Sequence, residues 1–199
     1  MDGFERRRER KKENIRQAAF ELFSAHGVQK VSIAEIASSA GVSQVTIYNY
    51  FGSKDRLLRD VISWLLDKRL KQDTEIVESD MPFPQKIEVF ITERTDELSG
   101  LNPGFIKSMM SEDPVIRQIT EDFTRNRYIP LMFRLIKKGK QEGCINNSIS
   151  NQAILLYINI FREGKRSDAF PGLLQSPHML KELVTLFFYG IMGVKAPRD

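Results

Sequence analysis

Apolar residues recur along this chain at three- and four-residue intervals, and strict alternation is scarce, so the pattern predicts an all-α protein. The first stripe, Ile15, Ala18, Ala19, Leu22 and Phe23, predicts a helix over roughly 10–25 that Gly27 ends in a left-handed conformation. Ser32-Ile33-Ala34-Glu35 reads as a capping box opening a second helix, which buries Ile33, Ile36 and Ala37. Only Ala40-Gly41-Val42 separate it from a third helix, capped by Ser43 and ending near Phe51-Gly52. Ser53 caps a fourth, running to about Lys68 through Leu57, Leu58, Val61, Ile62 and Leu65. Beyond a softer stretch at Met81-Pro82-Phe83-Pro84, helices are predicted near 83–98, 102–111 and 114–142. Pro130 should kink or interrupt the last of these, because proline lacks the amide proton and crowds the preceding turn. Gly143 is a fitting cap for its end. Two more helices, 150–164 and 176–194, complete the chain, the second with Ser176 as N-cap and Pro177 in its first turn.

Composition narrows the chemistry. With 199 residues, 41% hydrophobic and 28% charged, the chain is an ordinary globular protein of one to two domains. One cysteine excludes an internal disulfide or a multi-thiolate metal site, and His26 and His178 alone offer little to zinc or nonheme iron, so no metal and no cofactor are expected. There is no Gly-rich phosphate loop and no Ser or Cys beside a plausible base, so no enzyme is expected. Cys144, in a loop after Gly143, reads as inert. The longest nearly uncharged apolar stretch, Leu183 to Val194, is too short to span a bilayer, and the first thirteen residues are charged with no apolar core of a signal. A cytoplasmic protein without membrane contact is the expectation.

Two short helices joined by a tight glycine-containing turn match a helix-turn-helix, although such hairpins also occur in helical proteins that touch no DNA. In the second helix Val42, Ile47 and Phe51 should face the core. Gln44, Val45, Tyr48 and Asn49 then fall on the opposite face, where glutamine and asparagine suit adenine and valine suits a thymine methyl. Ser32, Ser43, Thr46, Tyr48 and Tyr50 offer hydroxyls, and Lys54 a charge, of the kind that meets phosphate. The net charge is +4; residues 1–54 hold nine basic against six acidic side chains and the remainder twenty-one against twenty, so most of the excess lies in the first third. The run Arg6-Arg7-Arg8-Glu9-Arg10-Lys11-Lys12 is either a flexible arm for the DNA backbone or a solvated extension of the first helix.

Residues 14–58 closely resemble the TetR family of bacterial transcriptional regulators. The resemblance is carried by Ile15, Ala18-Ala19, Leu22-Phe23, Gly27, Ser32-Ile33, Ile36-Ala37, Ala40-Gly41-Val42-Ser43, Thr46-Ile47-Tyr48-Asn49-Tyr50-Phe51, Ser53-Lys54 and Leu57, in ungapped spacing. Val45 departs from it, since many members carry a small residue or proline there. The resemblance implies a homodimer with a helix-turn-helix domain over 1–54 and a variable helical domain over 55–199. That second domain would bind a small effector and dimerise, with the fourth helix connecting the two. The expected function is a dimeric regulator, a repressor released from its operator by a small hydrophobic effector. The alternative is a constitutive DNA-binding protein whose helical domain binds another protein.

The later helices support part of this on their own pattern. Ala153 to Phe161 and Leu183 to Met192 are apolar around most of their circumference, which requires cover on every side. One side can pack on the domain and the other on a second copy, through Leu155, Ile158, Phe161, Leu183, Phe187 and Ile191, unless one helix is simply central. Two copies would address double-stranded DNA at a near-palindromic operator. Phe105, Met109, Met110, Phe123, Tyr128 and Phe133 are candidates for an apolar effector cavity, or plain core. Arg94 and Glu163 are polar residues on otherwise inward-facing helices.

Overall fold

A computed structural model describes residues 3–111, 113–164 and 176–192. Among them there are helices and turns and no strand. The helices are α1 (Gly3–His26), α2 (Ile33–Ser39), α3 (Gln44–Phe51), α4 (Lys54–Glu78), α5 (Phe83–Ser99), α6 (Pro103–Met109), α7 (Pro114–Phe123), α8 (Ile129–Gln141), α9 (Asn151–Gly164) and α10 (Pro177–Met192). A single 3-10 turn, Val28–Lys30, follows α1, and a π-helical turn, Thr124–Tyr128, joins α7 to α8.

The chain forms two compact units. One holds Met1–Lys68 with Leu101–Thr120, the other Arg69–Gly100 with Glu121–Asp199. The break falls inside α4 rather than ahead of it. Leu57, Leu58, Val61 and Ile62 of α4 are fully or nearly buried in the core that α1, α2 and α3 share, so this part of the helix cannot be separated from them.

In the first unit α1 supplies Ile15, Ala18, Ala19 and Phe23, α2 supplies Ile33, Ile36 and Ala37, and α3 supplies Ile47 and Phe51. Each fully buried aliphatic or aromatic side chain contributes about 1.5–3 kcal/mol. Phe105 of α6 and Ile116 of α7 close the same core, with Phe23 and Phe105 ring centroids 6.1 Å apart. Arg16 of α1 pairs with Asp60 of α4 at 2.5 Å, and the indole of Trp64 donates to Glu13 at 2.8 Å. Gly27 ends α1 as expected, at φ 80°. A Cβ there would meet Asn102 Oδ1 at 2.9 Å, where Asn102 donates its backbone N–H to the Ser24 carbonyl. Asp113 caps α7 by accepting from the Val115 and Ile116 amides, and its other oxygen accepts from Arg59 at 2.7 Å. These contacts, Arg59 first, hold its carboxyl below the ordinary aspartate value.

In the second unit the end of α4 is held by two lysines. Lys86, 1% exposed, donates to the carbonyls of Ile76 and Ser79 and to the Ser79 hydroxyl, and Lys138 donates to the Val77 carbonyl at 2.7 Å. Cations at a helix C-terminus satisfy orphan carbonyls and oppose the dipole. α4 thus runs ten residues past Lys68, where its stop was expected, because its true end is fixed by residues distant in sequence. The expected interruption at Pro130 takes the form of a π turn between α7 and α8. The chain widens into the π turn without leaving right-handed helical dihedrals, Ile129 donating to the Thr124 carbonyl, and Pro130 stands in the first turn of α8. α10 packs along α5, with Phe188 stacked on Phe90 at 5.5 Å.

Candidate nucleic-acid interface

The site begins with three serines that start three helices. Ser32 accepts the Glu35 amide at 3.2 Å while Glu35 Oε2 accepts the Ser32 amide and hydroxyl at 2.7 Å each, completing the capping box read from the sequence. These bonds hold the Glu35 carboxyl below its ordinary value, with a smaller contribution from the charges of His26 and Lys54. Ser32 therefore already uses both hydrogen-bonding directions of its hydroxyl, and a carboxylate occupies the start of α2 where a phosphate would sit. Ser43 accepts the Thr46 amide at 3.2 Å and shares a 2.9 Å hydrogen bond with the Thr46 hydroxyl. Ser53 accepts the Arg56 amide at 3.1 Å, one residue ahead of Lys54 at the start of α4.

The turn between α2 and α3 is a Schellman motif. Val42 donates its amide to the Ala37 carbonyl at 3.0 Å and Gly41 to the Ser38 carbonyl at 3.3 Å. Gly41 lies at φ 64° in open space, so glycine is required there by the backbone and not by crowding. The motif fixes the direction in which α3 leaves α2, and the core fixes its roll. Ile47 and Phe51 are 1% and 8% exposed, while Val45 is 65% and Tyr48 49% exposed. Gln44 and Asn49 are exposed beside them, and Thr46, Tyr50 and Lys54 are half-buried. The four residues expected on the outer face of α3 thus share it. Val42, expected inward, packs partly buried against the core.

The basic run is helical from Gly3, the second of the two readings given above. It is not separate from α3: the Arg8 guanidinium lies over the Tyr50 ring, 6.0 Å from its centroid. Arg8 and Lys12 of that run share one face with Ile15 once the helix is extended backwards. Arg56 is exposed beside Gly52, where a Cβ would come within 3.1 Å of its guanidinium.

The other candidate residues divide between the two units. Phe105 is fully buried in the first unit's core and Met109 packs against it, so neither is set aside for a ligand. Met110 is the C-cap of α6. Phe123 and Tyr128 stack on each other across the π turn at 6.2 Å in the second unit, with Arg127 over Phe123, and Phe133 lines a groove there. Of the residues expected to meet a second copy, those described on α9 and α10 are buried or half-buried. Ile158 is 5% exposed, packed inside its own unit with Ile154, and Leu155, Leu183 and Phe187 are half-buried. Leu156, Ile160 and Leu186, each more than 60% exposed, face outward with Tyr189. Helices apolar all round carry no polar stripe to set their phase, and packing sets it instead: Tyr157 stacks on Phe187 and donates to the Leu186 carbonyl at 3.1 Å. The side chains of Phe161, Ile191, Arg94 and Glu163 lie outside the described residues. Among the described residues no helix is long and apolar enough to cross a membrane.

Comparison with known proteins agrees with this geometry. Residues 15–61 match the model of bacterial regulatory proteins of the tetR family. Over 83 residues the chain is 37% identical to YvdT of Bacillus subtilis, an uncharacterised HTH-type transcriptional regulator, spanning 42% of this chain and 43% of that protein. It is 26% identical over 125 residues to the nucleoid occlusion factor SlmA of Escherichia coli, 60% of this chain and 63% of SlmA. The chain thus spans less than two thirds of the length of these relatives. Among solved structures it is similar in fold to a TetR transcription regulator of Haloarcula marismortui, with a TM-score of 0.70 at 18% identity over 92% of this chain and 97% of that one. It is likewise similar to FadR of Bacillus subtilis, solved in complex with stearoyl-CoA, with a TM-score of 0.63 at 18% identity over 89% and 98%. Residues 15–61 thus carry the helix-turn-helix of the tetR family of bacterial regulatory proteins.

Proposed function

We propose that the protein is a dimeric transcriptional regulator that reads a near-palindromic operator with α3 and leaves it when a hydrophobic or amphipathic effector binds. The observation that carries this reading is the outer face of α3, where Gln44, Val45, Tyr48 and Asn49 stand exposed on a helix fixed by two caps and a buried opposite side. Gln44 and Asn49 contribute amide pairs for base edges, and Val45 an apolar surface for a thymine methyl. Ser43, Thr46, Tyr50 and Lys54 hold the backbone, joined by Arg8 and the rest of the basic first turns of α1. The outward apolar residues of α9 and α10 form the face that a second copy covers, giving two α3 helices for two half-sites. The effector acts only through its difference in affinity for the two states of the dimer. FadR proteins crystallised with stearoyl-CoA and lauroyl-CoA make an amphipathic acyl compound the first class to try.

Electrophoretic mobility shift at fixed salt, on a duplex selected from random DNA, tests the reading. Tyr48→Ala and Lys54→Ala should each weaken binding while the oligomeric state is unchanged. Undiminished affinity in both variants would remove α3 from the interface. A second reading keeps DNA binding constitutive and lets the helical domain meet another protein through its outward apolar residues Leu156, Ile160 and Leu186. A small molecule that shifts both Tm and operator affinity would exclude it.

A further inference from the structure

A groove of about 730 Å³ runs along α8 in the second unit, within the size range of small-molecule sites. Arg134, Lys137 and Lys140 line it at three-residue intervals, close enough on a helix to share one side. Phe133 and Ile136 give it an apolar floor, and Asn147 and Asn151 bring amide groups from the following turn and from the start of α9. Among the described residues no carboxylate lines it.

The state of the three cations decides what the groove attracts. Arg134 meets Glu78 through Nε at 3.5 Å, a loose pair with both side chains about half exposed. Lys140 donates to the Ile149 carbonyl at 2.7 Å, which fixes its position without neutralising it. Lys137 is exposed and has neither an ion-pair nor a hydrogen-bond partner among the described residues. A solvated charged face needs no concavity and no aromatic floor. Here the charge borders a hollow lined by Phe133, and Asn147 and Asn151 add side-chain amides. Several cations, a guanidinium fork and neutral amide donors form a set suited to phosphate oxygens.

We propose that this groove binds a phosphorylated small molecule, with its phosphates on Arg134, Lys137 and Lys140 and its ring or apolar part on Phe133 and Ile136. The site shares no residue with α3, so it stands apart from the operator reading.

Isothermal titration of the full chain, without DNA, tests it with pyrophosphate, ADP and coenzyme A in separate arms and citrate as a carboxylate control. ADP or coenzyme A should bind saturably at one site per chain and more tightly than pyrophosphate, because only they reach the apolar floor. Raised salt should weaken all three. Lys137→Glu should weaken binding by about tenfold or more, with Lys137→Arg close to the parent, and both should keep the parent's Tm and operator affinity. The proposal is overturned if no phosphate probe binds at millimolar concentration, if citrate binds as well as ADP, or if Lys137→Glu leaves binding unchanged. Loss of operator affinity in Lys137→Glu would also overturn it, by showing that the charges serve duplex DNA instead.

Discussion

α2–α3 and α9–α10 are both pairs of packed helices, but polar caps and a glycine turn orient the first, and side-chain packing orients the second. In α2–α3 polar residues sit at every decision point. Ser32 and Ser43 mark the starts, Gly41 the turn, and Gln44, Tyr48 and Asn49 the side that faces out. In α9–α10 apolar side chains surround most of the axis, and only packing separates the buried Ile158 from the exposed Leu156, Ile160 and Leu186. A helix announces its orientation through contrast, and where contrast is missing only the neighbours decide.

Mutations can break or sharpen this contrast. The largest effect should come from Phe23→Ala, which empties the centre of the first unit's core and should cost about 3–5 kcal/mol by chemical denaturation. An equally drastic change on the apolar face of α10 should act differently. Leu186→Glu should leave the helicity of the chain intact and shift it to monomer in analytical ultracentrifugation, whereas Ile158→Glu, buried in its own unit, should unfold it.

A pH effect should be intermediate. Burial, with the charge of Glu93 adding to it, raises Asp73 from its ordinary range to about 7. A carboxyl raised on folding contributes stability in full below its unfolded value, and that contribution is lost as pH rises through about 7. Tm should therefore fall by several degrees between pH 5 and pH 8, and Asp73→Asn should flatten the slope. The smallest effects belong to the turn: Gly41→Ala, forced to a positive φ, and Ser32→Ala, which removes the capping box, should each cost about 1 kcal/mol.

Contrast also explains what else was and was not legible. The Ser-x-x-Glu box, the glycine turn and the α3 faces are local, and each emerged where it was read. The end of α4 depends on Lys86 and Lys138, eight and sixty residues beyond Glu78, and no local signal states it. Phe105 and Met109 read as cavity or core because phenylalanine and methionine serve both, and the fold packs them with α1 and α4. The basic run left arm and helix open, because charged residues suit both, and only the fold sets Arg8 over Tyr50.

Selection of bound sequences from random duplex DNA tests the central claim most directly. The outward face of α3, presented twice, should enrich two inverted half-sites at a fixed major-groove spacing, and Gln44→Ala with Asn49→Ala should erase the base preference while leaving salt-dependent binding. Enrichment of a single isolated half-site, or an unchanged preference in the double variant, would contradict it.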